Sequence, residues 1–374
     1  MDRNLIKKLG DLVNIKTGKL DANAASENGE YPFFTCSITP LKINSYSYDC
    51  ECVLVAGNGD LNVKYYNGRF DAYQRTYIIE SKDKNYLDTK YLYYFMSKYI
   101  EILRNQSIGG VIKYIKLGNL TDAKIPVPSL KEQQKIVDIL DKAQNVLDKR
   151  VETINLLNEL VKSKFIEMFG DPVQNPFGWE VKPLLESGSC KNGMNFSATE
   201  MGIELQYLGV GDFKDLSKIE DVANLGKVNL NKMPSKEYLL QNGDIVFVRS
   251  NGNKALVGRC LAVYPNNVAT TYSGFCIRYR KTDENLEIPY LLQVLKTDSM
   301  RKNMVGRGAN IQNLNQQILG RLMIPIPPLE LQKQYSDFVK QVDKLKFEME
   351  QSLKELENNF NALMKKAFGD GVFR

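Results

Sequence analysis

A chain of 374 residues with 43% hydrophobic and 25% charged side chains is long enough for two or three domains with proper cores. No apolar run approaches the length of a membrane span, and the start Met1-Asp2-Arg3-Asn4-Leu5-Ile6-Lys7-Lys8 lacks the apolar stretch of a signal peptide, so a cytoplasmic location is expected. The net charge of +6 permits a nucleic-acid partner without demanding one, while the complete absence of histidine removes Ser-His and Cys-His nucleophile pairs and the usual general base near pH 7.

In chain order, residues 1–124 read as a first domain of mixed α/β character. Lys8 to Ile15 and Cys52 to Ala56 read as strands, the second ending at the tight turn Gly57-Asn58-Gly59, and Tyr77-Ile78-Ile79 is a further short strand. Asp88 to Arg104 predicts an amphipathic helix with Tyr91, Leu92, Phe95, Tyr99 and Leu103 along its core face. The six cysteines, Cys36, Cys50, Cys52, Cys190, Cys260 and Cys276, have no CxxC spacing and read as buried thiols rather than metal ligands.

Residues 125–171 form the first of two matching segments. Ile125-Pro126-Val127-Pro128-Ser129-Leu130 opens a helical pattern that stops at Phe169-Gly170-Asp171, and Ile324-Pro325-Ile326-Pro327-Pro328-Leu329 opens another that stops at Phe368-Gly369-Asp370, at a constant offset of 199 residues. Between Lys131 and Phe169, and again between Leu329 and Phe368, there is no Gly or Pro, so nothing breaks a helix until the glycine that can take the left-handed position after it. Apolar residues recur in steps of three and four at Ile136, Leu140, Ala143, Leu147, Val151, Ile154, Leu157, Val161, Phe165 and Met168. The second copy has Tyr335, Phe338, Val342, Leu345, Met349, Leu353, Leu356, Phe360, Leu363 and Ala367, so each segment reads as one strand of a coiled coil.

Between the rods, Asp171-Pro172-Val173-Gln174-Asn175-Pro176-Phe177-Gly178-Trp179 reads as a linker that docks the chain's single tryptophan at a domain edge. Residues 172–323, linker included, make a second domain on the plan of the first. Asn242-Gly243-Asp244 turns into the strand Ile245-Val246-Phe247-Val248, which ends at Arg249-Ser250-Asn251-Gly252, and Gly258-Arg259 follows as Gly68-Arg69 follows Asn58-Gly59. From Leu92, matching Leu291, the copies keep the 199-residue offset, whereas upstream the offset drifts, as expected of loops of different length on a shared scaffold.

One compact domain has its termini close together, so the second rod, residues 324–374, is expected to run back antiparallel to the first. The fold class is therefore α+β: two mixed domains joined by two long antiparallel helices, each roughly 60 Å long, with an internal pseudo-two-fold repeat. The expected seam is Ile136, Leu140, Leu147, Ile154, Leu157 and Val161 against Phe338, Val342, Leu353, Leu356 and Phe360. A duplicated binder imitates a symmetric dimer while letting its halves differ, which suits an asymmetric bipartite DNA sequence.

Base edges are read by Arg, Asn and Gln, and phosphates are held by Lys, Ser and Thr. The matching candidates in the first domain are Asn58, Lys64, Arg69, Gln74, Arg75, Lys113 and Lys116. In the second they are Arg249, Ser250, Asn251, Asn253, Lys254, Arg259, Tyr272, Arg307, Asn310 and Gln312. Gly109-Gly110 and Gly306-Arg307-Gly308 match neither a P-loop nor a dinucleotide fingerprint. Asn175-Pro176-Phe177 lacks the second proline of the amino-methyltransferase motif.

The paired Ile-Pro-x-Pro-x-Leu…Gln openings, the long helices, the Phe-Gly-Asp-Pro…Asn-Pro-x-Gly-Trp junction and Gly243-Asp244-Ile245-Val246 resemble the specificity subunit of type I restriction-modification systems along essentially the whole chain. The resemblance implies two target recognition domains, each reading half of a split double-stranded DNA site, separated by helical spacers. It also implies two adenine-methyltransferase subunits docked on the chain, joined by ATP-driven restriction subunits. AdoMet, ATP and Mg would then sit on those partners, with no catalysis, metal or cofactor on this chain. The alternatives are the recognition subunit of a system whose methyltransferase and endonuclease are fused, an autonomous methyltransferase or nuclease, and a coiled-coil scaffold without nucleic acid.

Overall fold

The computed structural model describes residues 6–197, 201–213, 216–305 and 313–369. Contacts divide the chain into two compact units, Met1–Glu152 with Glu350–Arg374, and Thr153–Met349.

Unit 1 is built on a six-stranded sheet in the order β2 (Val13–Thr17), β7 (Thr76–Ser81), β5 (Tyr48–Ala56), β6 (Val63–Ala72), β3 (Tyr31–Phe34), β4 (Leu41–Ile43). A separate antiparallel pair joins β1 (Ile6–Lys8) to β8 (Lys124–Pro126). The expected strand Lys8–Ile15 is broken by a helical turn, α1 (Leu9–Leu12), which aims Leu9 into the core while its N–H donates to Ala123 O at 2.8 Å. α2 (Thr89–Gln106) starts where Asp88 accepts the Tyr91 N–H, and its stripe Tyr91, Leu92, Phe95, Tyr99 and Leu103 is buried. α3 (Leu117–Thr121) leads into β8 and then α4 (Leu130–Phe169), an unbroken helix of 40 residues.

Unit 2 repeats this plan. β9 (Glu180–Pro183) pairs with β18 (Met323–Ile326) as β1 pairs with β8. The strands β10 (Gly188–Asn192), β17 (Cys276–Lys281), β14 (Asp244–Val248) and β15 (Cys260–Val263) take the order of β2-β7-β5-β6. Short β12 (Lys218–Ile219) lies parallel to β15 at that sheet's edge. The rest of the six-stranded layout becomes a second sheet, β13 (Gly226–Leu230), β11 (Ile203–Leu208) and β16 (Thr270–Tyr272). The single strand β6 of unit 1 therefore corresponds to two strands here, β15 and β16. They are separated by a loop in which Asn266 and Asn267 take positive φ of 48° and 71°, a conformation asparagine tolerates better than most residues. α5 (Ile288–Lys296), α6 (Asp298–Val305), α7 (Gln316–Gly320) and α8 (Leu329–Phe368), again 40 residues, complete the chain.

Each long helix contributes to both units. In unit 1 the beginning of α4, Val137 and Leu140, shares a core with the end of α8, Phe360, Leu363, Met364 and Phe368. In unit 2 the end of α4, Val161, Phe165 and Phe169, shares a core with the beginning of α8, Leu331, Tyr335 and Phe338. Within each unit the two segments therefore run antiparallel. Every expected seam residue is buried or half-buried, but Val151 and Leu345 face solvent. After Val342 the seam steps by four, so half-buried Lys346 takes the place expected of Leu345 and donates to Asn158 Oδ1 at 3.0 Å.

The helix openings are held by the same hydrogen bonds in both copies. Gln133 is fully buried, accepts the Asp88 N–H at 2.9 Å, and donates to Tyr86 O at 2.9 Å and Pro128 O at 2.8 Å. Gln332, also fully buried, accepts from Glu287 N–H at 2.9 Å and donates to Asn285 O at 3.1 Å and Pro327 O at 2.8 Å. Tyr91 and Tyr290 each donate at 2.8 Å to the carbonyl of the first proline of the opening, Pro126 and Pro325. Pro126, Pro128, Pro325 and Pro327 precede Ser129 and Pro328, whose carbonyls accept the first helical bonds, so their own carbonyls need partners from outside the helical ladder, and the tyrosine and glutamine supply them. Cys52, Cys260 and Cys276 are buried and Cys36, Cys50 and Cys190 partly so; burial pushes the Cys260 thiol up to about 11.

Replacing Gln332 by Leu strands one N–H and two carbonyls in the interior. It is expected to cost about 3 kcal/mol and to lower the melting of unit 2 by roughly 6–12 °C. Melting at the wild-type temperature, followed by calorimetry, would contradict that role. Leu157→Asp puts a charge in the half-buried seam and is expected to cost about 2 kcal/mol, whereas Leu156→Asp, at a position 61% exposed, stays within about 0.5 kcal/mol of wild type. Equal unfolding midpoints for the two variants in urea would refute the seam.

Candidate nucleic-acid interface

In unit 1 the loop leaving the central strand β5 is clipped from two sides. The Gly57 N–H donates to Arg75 O at 2.8 Å and Ile115 N–H donates to Gly57 O at 2.9 Å. Gly59 N–H donates to Lys113 O at 2.9 Å, and Asn58 bridges to Tyr114. In unit 2 the loop leaving β14 is clipped by the counterparts of the Gly57 bonds and of the Asn58 bridge. Arg249 N–H donates to Phe275 O and Leu314 N–H donates to Arg249 O, both at 2.8 Å, and Ser250 bridges to Asn313. Three segments remote in sequence thus meet at one edge of each unit: the strand-end loop, the turn before the last strand of the main sheet, and the segment before α3 or α7.

Of the candidates in unit 1, Asn58, Arg75 and Lys113 lie on these three segments and Gln74 and Lys116 beside them. Arg75, Lys113 and Lys116 are exposed; Gln74 Nε2 donates to Asp21 Oδ1 at 2.7 Å. Two candidates lie elsewhere. Lys64 is half-buried on β6, donates to Asn62, and has its pKa lowered by desolvation. Arg69 stands opposite Asp49, seven residues or roughly 23 Å of strand from the β5 end. There it pairs with that carboxylate at 3.1 Å, which raises its pKa, and lies over the Tyr46 ring. The match of Gly68-Arg69 with Gly258-Arg259 therefore fails. Val63 faces Val55 where Cys260 faces Phe247, so Arg259 corresponds to Asn62 in register.

In unit 2, Arg249 is half-buried and its Nη1 donates to Gly274 O at 3.3 Å. Asn251 Oδ1 accepts the Asn253 N–H at 2.8 Å, and Asn253 Oδ1 caps the single turn Lys254–Leu256 through Ala255 N–H at 3.0 Å. Both are Asx turns that shape the loop. Tyr272 is not available to a ligand in this structure: its side chain is fully buried in the core between the two sheets, where its hydroxyl donates to Lys191 O at 3.3 Å. Arg307, Asn310 and Gln312 lie outside the described residues.

The carboxylate of Gly243-Asp244-Ile245-Val246 is structural. Asp244 is buried, accepts from Arg280 Nε at 2.8 Å and Nη2 at 2.7 Å, and takes the Gln241 N–H at 2.7 Å. It fixes the start of the strand whose other end carries Arg249. Sequence reasoning missed Phe275, 59% exposed on the clipped turn at the position of Arg75. Only the strand register, not local sequence, equates them.

A family model described as "Type I restriction modification DNA specificity domain" matches the chain twice, at residues 2–160 and 179–358. The chain is similar to the specificity subunit of the Escherichia coli type I restriction enzyme EcoDI, 44% identical over 36% of this chain and 30% of that subunit. It is also similar to the StySPI subunit of Salmonella potsdam, 26% identical over 71% of this chain and 60% of the other. The matches thus span less than two thirds of either relative. Similarity to the MjaVIII subunit of Methanocaldococcus jannaschii, 25% identical, extends over 91% of this chain and 86% of that one. The crystal structure of an S subunit from M. genitalium has the same fold, with a TM-score of 0.57 at 17% identity over 98% of this chain and 97% of that chain. With both halves matched by its model, the chain belongs to the type I restriction-modification DNA specificity family.

Proposed function

We propose that this chain is the DNA specificity subunit of a type I restriction-modification complex, with each unit reading one half of an asymmetric bipartite site. The observation that carries the reading is the clipped loop. Both units hold the first residue of the loop leaving their central strand by the same pair of backbone hydrogen bonds, yet load the loop with different side chains, Asn58 in one and Arg249-Ser250 in the other. A constant frame with variable polar groups is what two readers of unlike half-sites require. On this reading Lys113, Lys116 and Lys254 hold phosphates, while Arg75 and Arg249 face base edges.

The chain supplies address and not chemistry. Adenine methylation, ATP-driven translocation and cleavage belong to methyltransferase and restriction subunits docked on it, which would carry AdoMet, ATP and Mg in the cytoplasm.

The test is methylated-adenine mapping in cells that express the chain with its cognate methyltransferase subunits. Wild type should mark one bipartite sequence. Arg249→Ala should relax one half only, by about 1–3 kcal/mol at one base position. Uniform weakening on every sequence, with both halves retained, would reassign Arg249 to phosphate contact. No sequence-dependent methylation with wild-type chain would overturn the reading.

A further inference from the structure

Unit 1 carries a small hairpin beside the Asn58 loop. Ile108 and Tyr114 exchange both backbone hydrogen bonds, at 3.0 and 2.8 Å, and close a tip made of residues 109–113. Its base is fixed by the bonds that clip the loop, and the Tyr77 hydroxyl donates to Ile115 O at 3.3 Å. Its tip stands clear. Gly109 has a φ of 118°, and a Cβ placed on Gly110 would meet nothing within 4 Å.

At the apex Val111 is 103% exposed and Ile112 61%. Two adjacent β-branched aliphatic residues on a firmly anchored projection form an apolar apex that gains by leaving water. The surroundings select its partner. Lys113 and Lys116 are exposed on the same segment, so the apolar apex is flanked by cations that suit phosphates. The hairpin also shares backbone bonds with the proposed reading loop. Duplex DNA offers one compact apolar group on a base edge, the C5-methyl of thymine in the major groove.

We propose that Val111 and Ile112 are specificity-determining residues that pack on thymine methyl groups in the half-site read by unit 1. The inference rests on the DNA-reading function proposed above and adds what that half recognises. The glycine pair lets the backbone come close to the groove edge, and the lysines hold the flanking phosphates.

The test uses the chain assembled with its methyltransferase subunits and a duplex containing its mapped site; the unit 2 half is the one altered by Arg249→Ala. Thymines of the other half are replaced singly by deoxyuridine, which removes only the methyl group. Affinity of the wild-type complex is expected to fall about fourfold at one or two positions, the worth of one buried methyl. The double variant Val111→Ala, Ile112→Ala should bind the thymine duplex more weakly and show no further loss on deoxyuridine. Equal wild-type affinity for thymine and deoxyuridine throughout that half, or a half-site without thymine, overturns the inference while leaving site-specific binding intact. So does a double variant that keeps the full methyl dependence. Binding without site preference removes both this inference and the function on which it rests.

Discussion

The structure depends on the burial of each long helix's last phenylalanine in the unit where that helix ends. Phe169 closes α4 among Tyr290, Phe165 and Tyr335, with ring centroids 4.7 to 5.6 Å apart, and Phe368 closes α8 against Tyr91 and Phe95 at 5.1 and 5.9 Å. Aromatic rings at these separations contribute attraction beyond their hydrophobic burial. Beyond each ring the chain turns through glycine, Gly170 at φ 73° and Gly369 at φ 70°, a conformation that side chains resist. Because α4 opens in unit 1 and closes in unit 2, and α8 does the reverse, neither core is complete without helix from both ends of the repeat.

This arrangement separates what must stay constant from what is free to change. The two buried glutamines and the two tyrosines that bond the opening prolines are matched partner for partner at the 199-residue offset. The sheets above them have diverged. Unit 1 has an apolar cluster around Phe34, Phe70 and Ile78, whereas the corresponding face of unit 2 combines a cluster around Val246, Leu261 and Tyr272 with buried Arg278 and the Asp244–Arg280 ion pair. A buried arginine and a split strand are tolerated there because the helical frame does not pass through that side.

The fold class was legible because long-range repetition survives in the openings, where Pro, Gln and Tyr have partners that cannot vary independently. Local periodicity was less reliable. A stripe counted in threes and fours allows Leu345 or Lys346, and the choice is made by Asn158 on the opposing segment, which no local window contains. The break at Leu9 is fixed by Ala123, over a hundred residues away. In the clipped loops, composition did not show which side chains are exposed. Tyr272 looks like a surface hydroxyl in sequence and is a core residue, while Phe275, Val111 and Ile112 look like core residues and are exposed.

Hydrogen-bond accounting then narrows which polar residues are able to read bases. Recognition of adenine by asparagine uses the amide oxygen and nitrogen together. In Asn251 and Asn253 the oxygen already holds a backbone N–H of its own loop, so these side chains build the turn and offer chiefly a donor. Gln74 is likewise engaged by Asp21, and Arg69 by Asp49. Arg249 differs, since among the described residues its guanidinium donates one long bond of 3.3 Å, to Gly274 O, and a guanidinium carries five N–H donors. At the β14 end, therefore, Asn251 and Asn253 shape the loop, and Arg249 is the side chain that the loop presents.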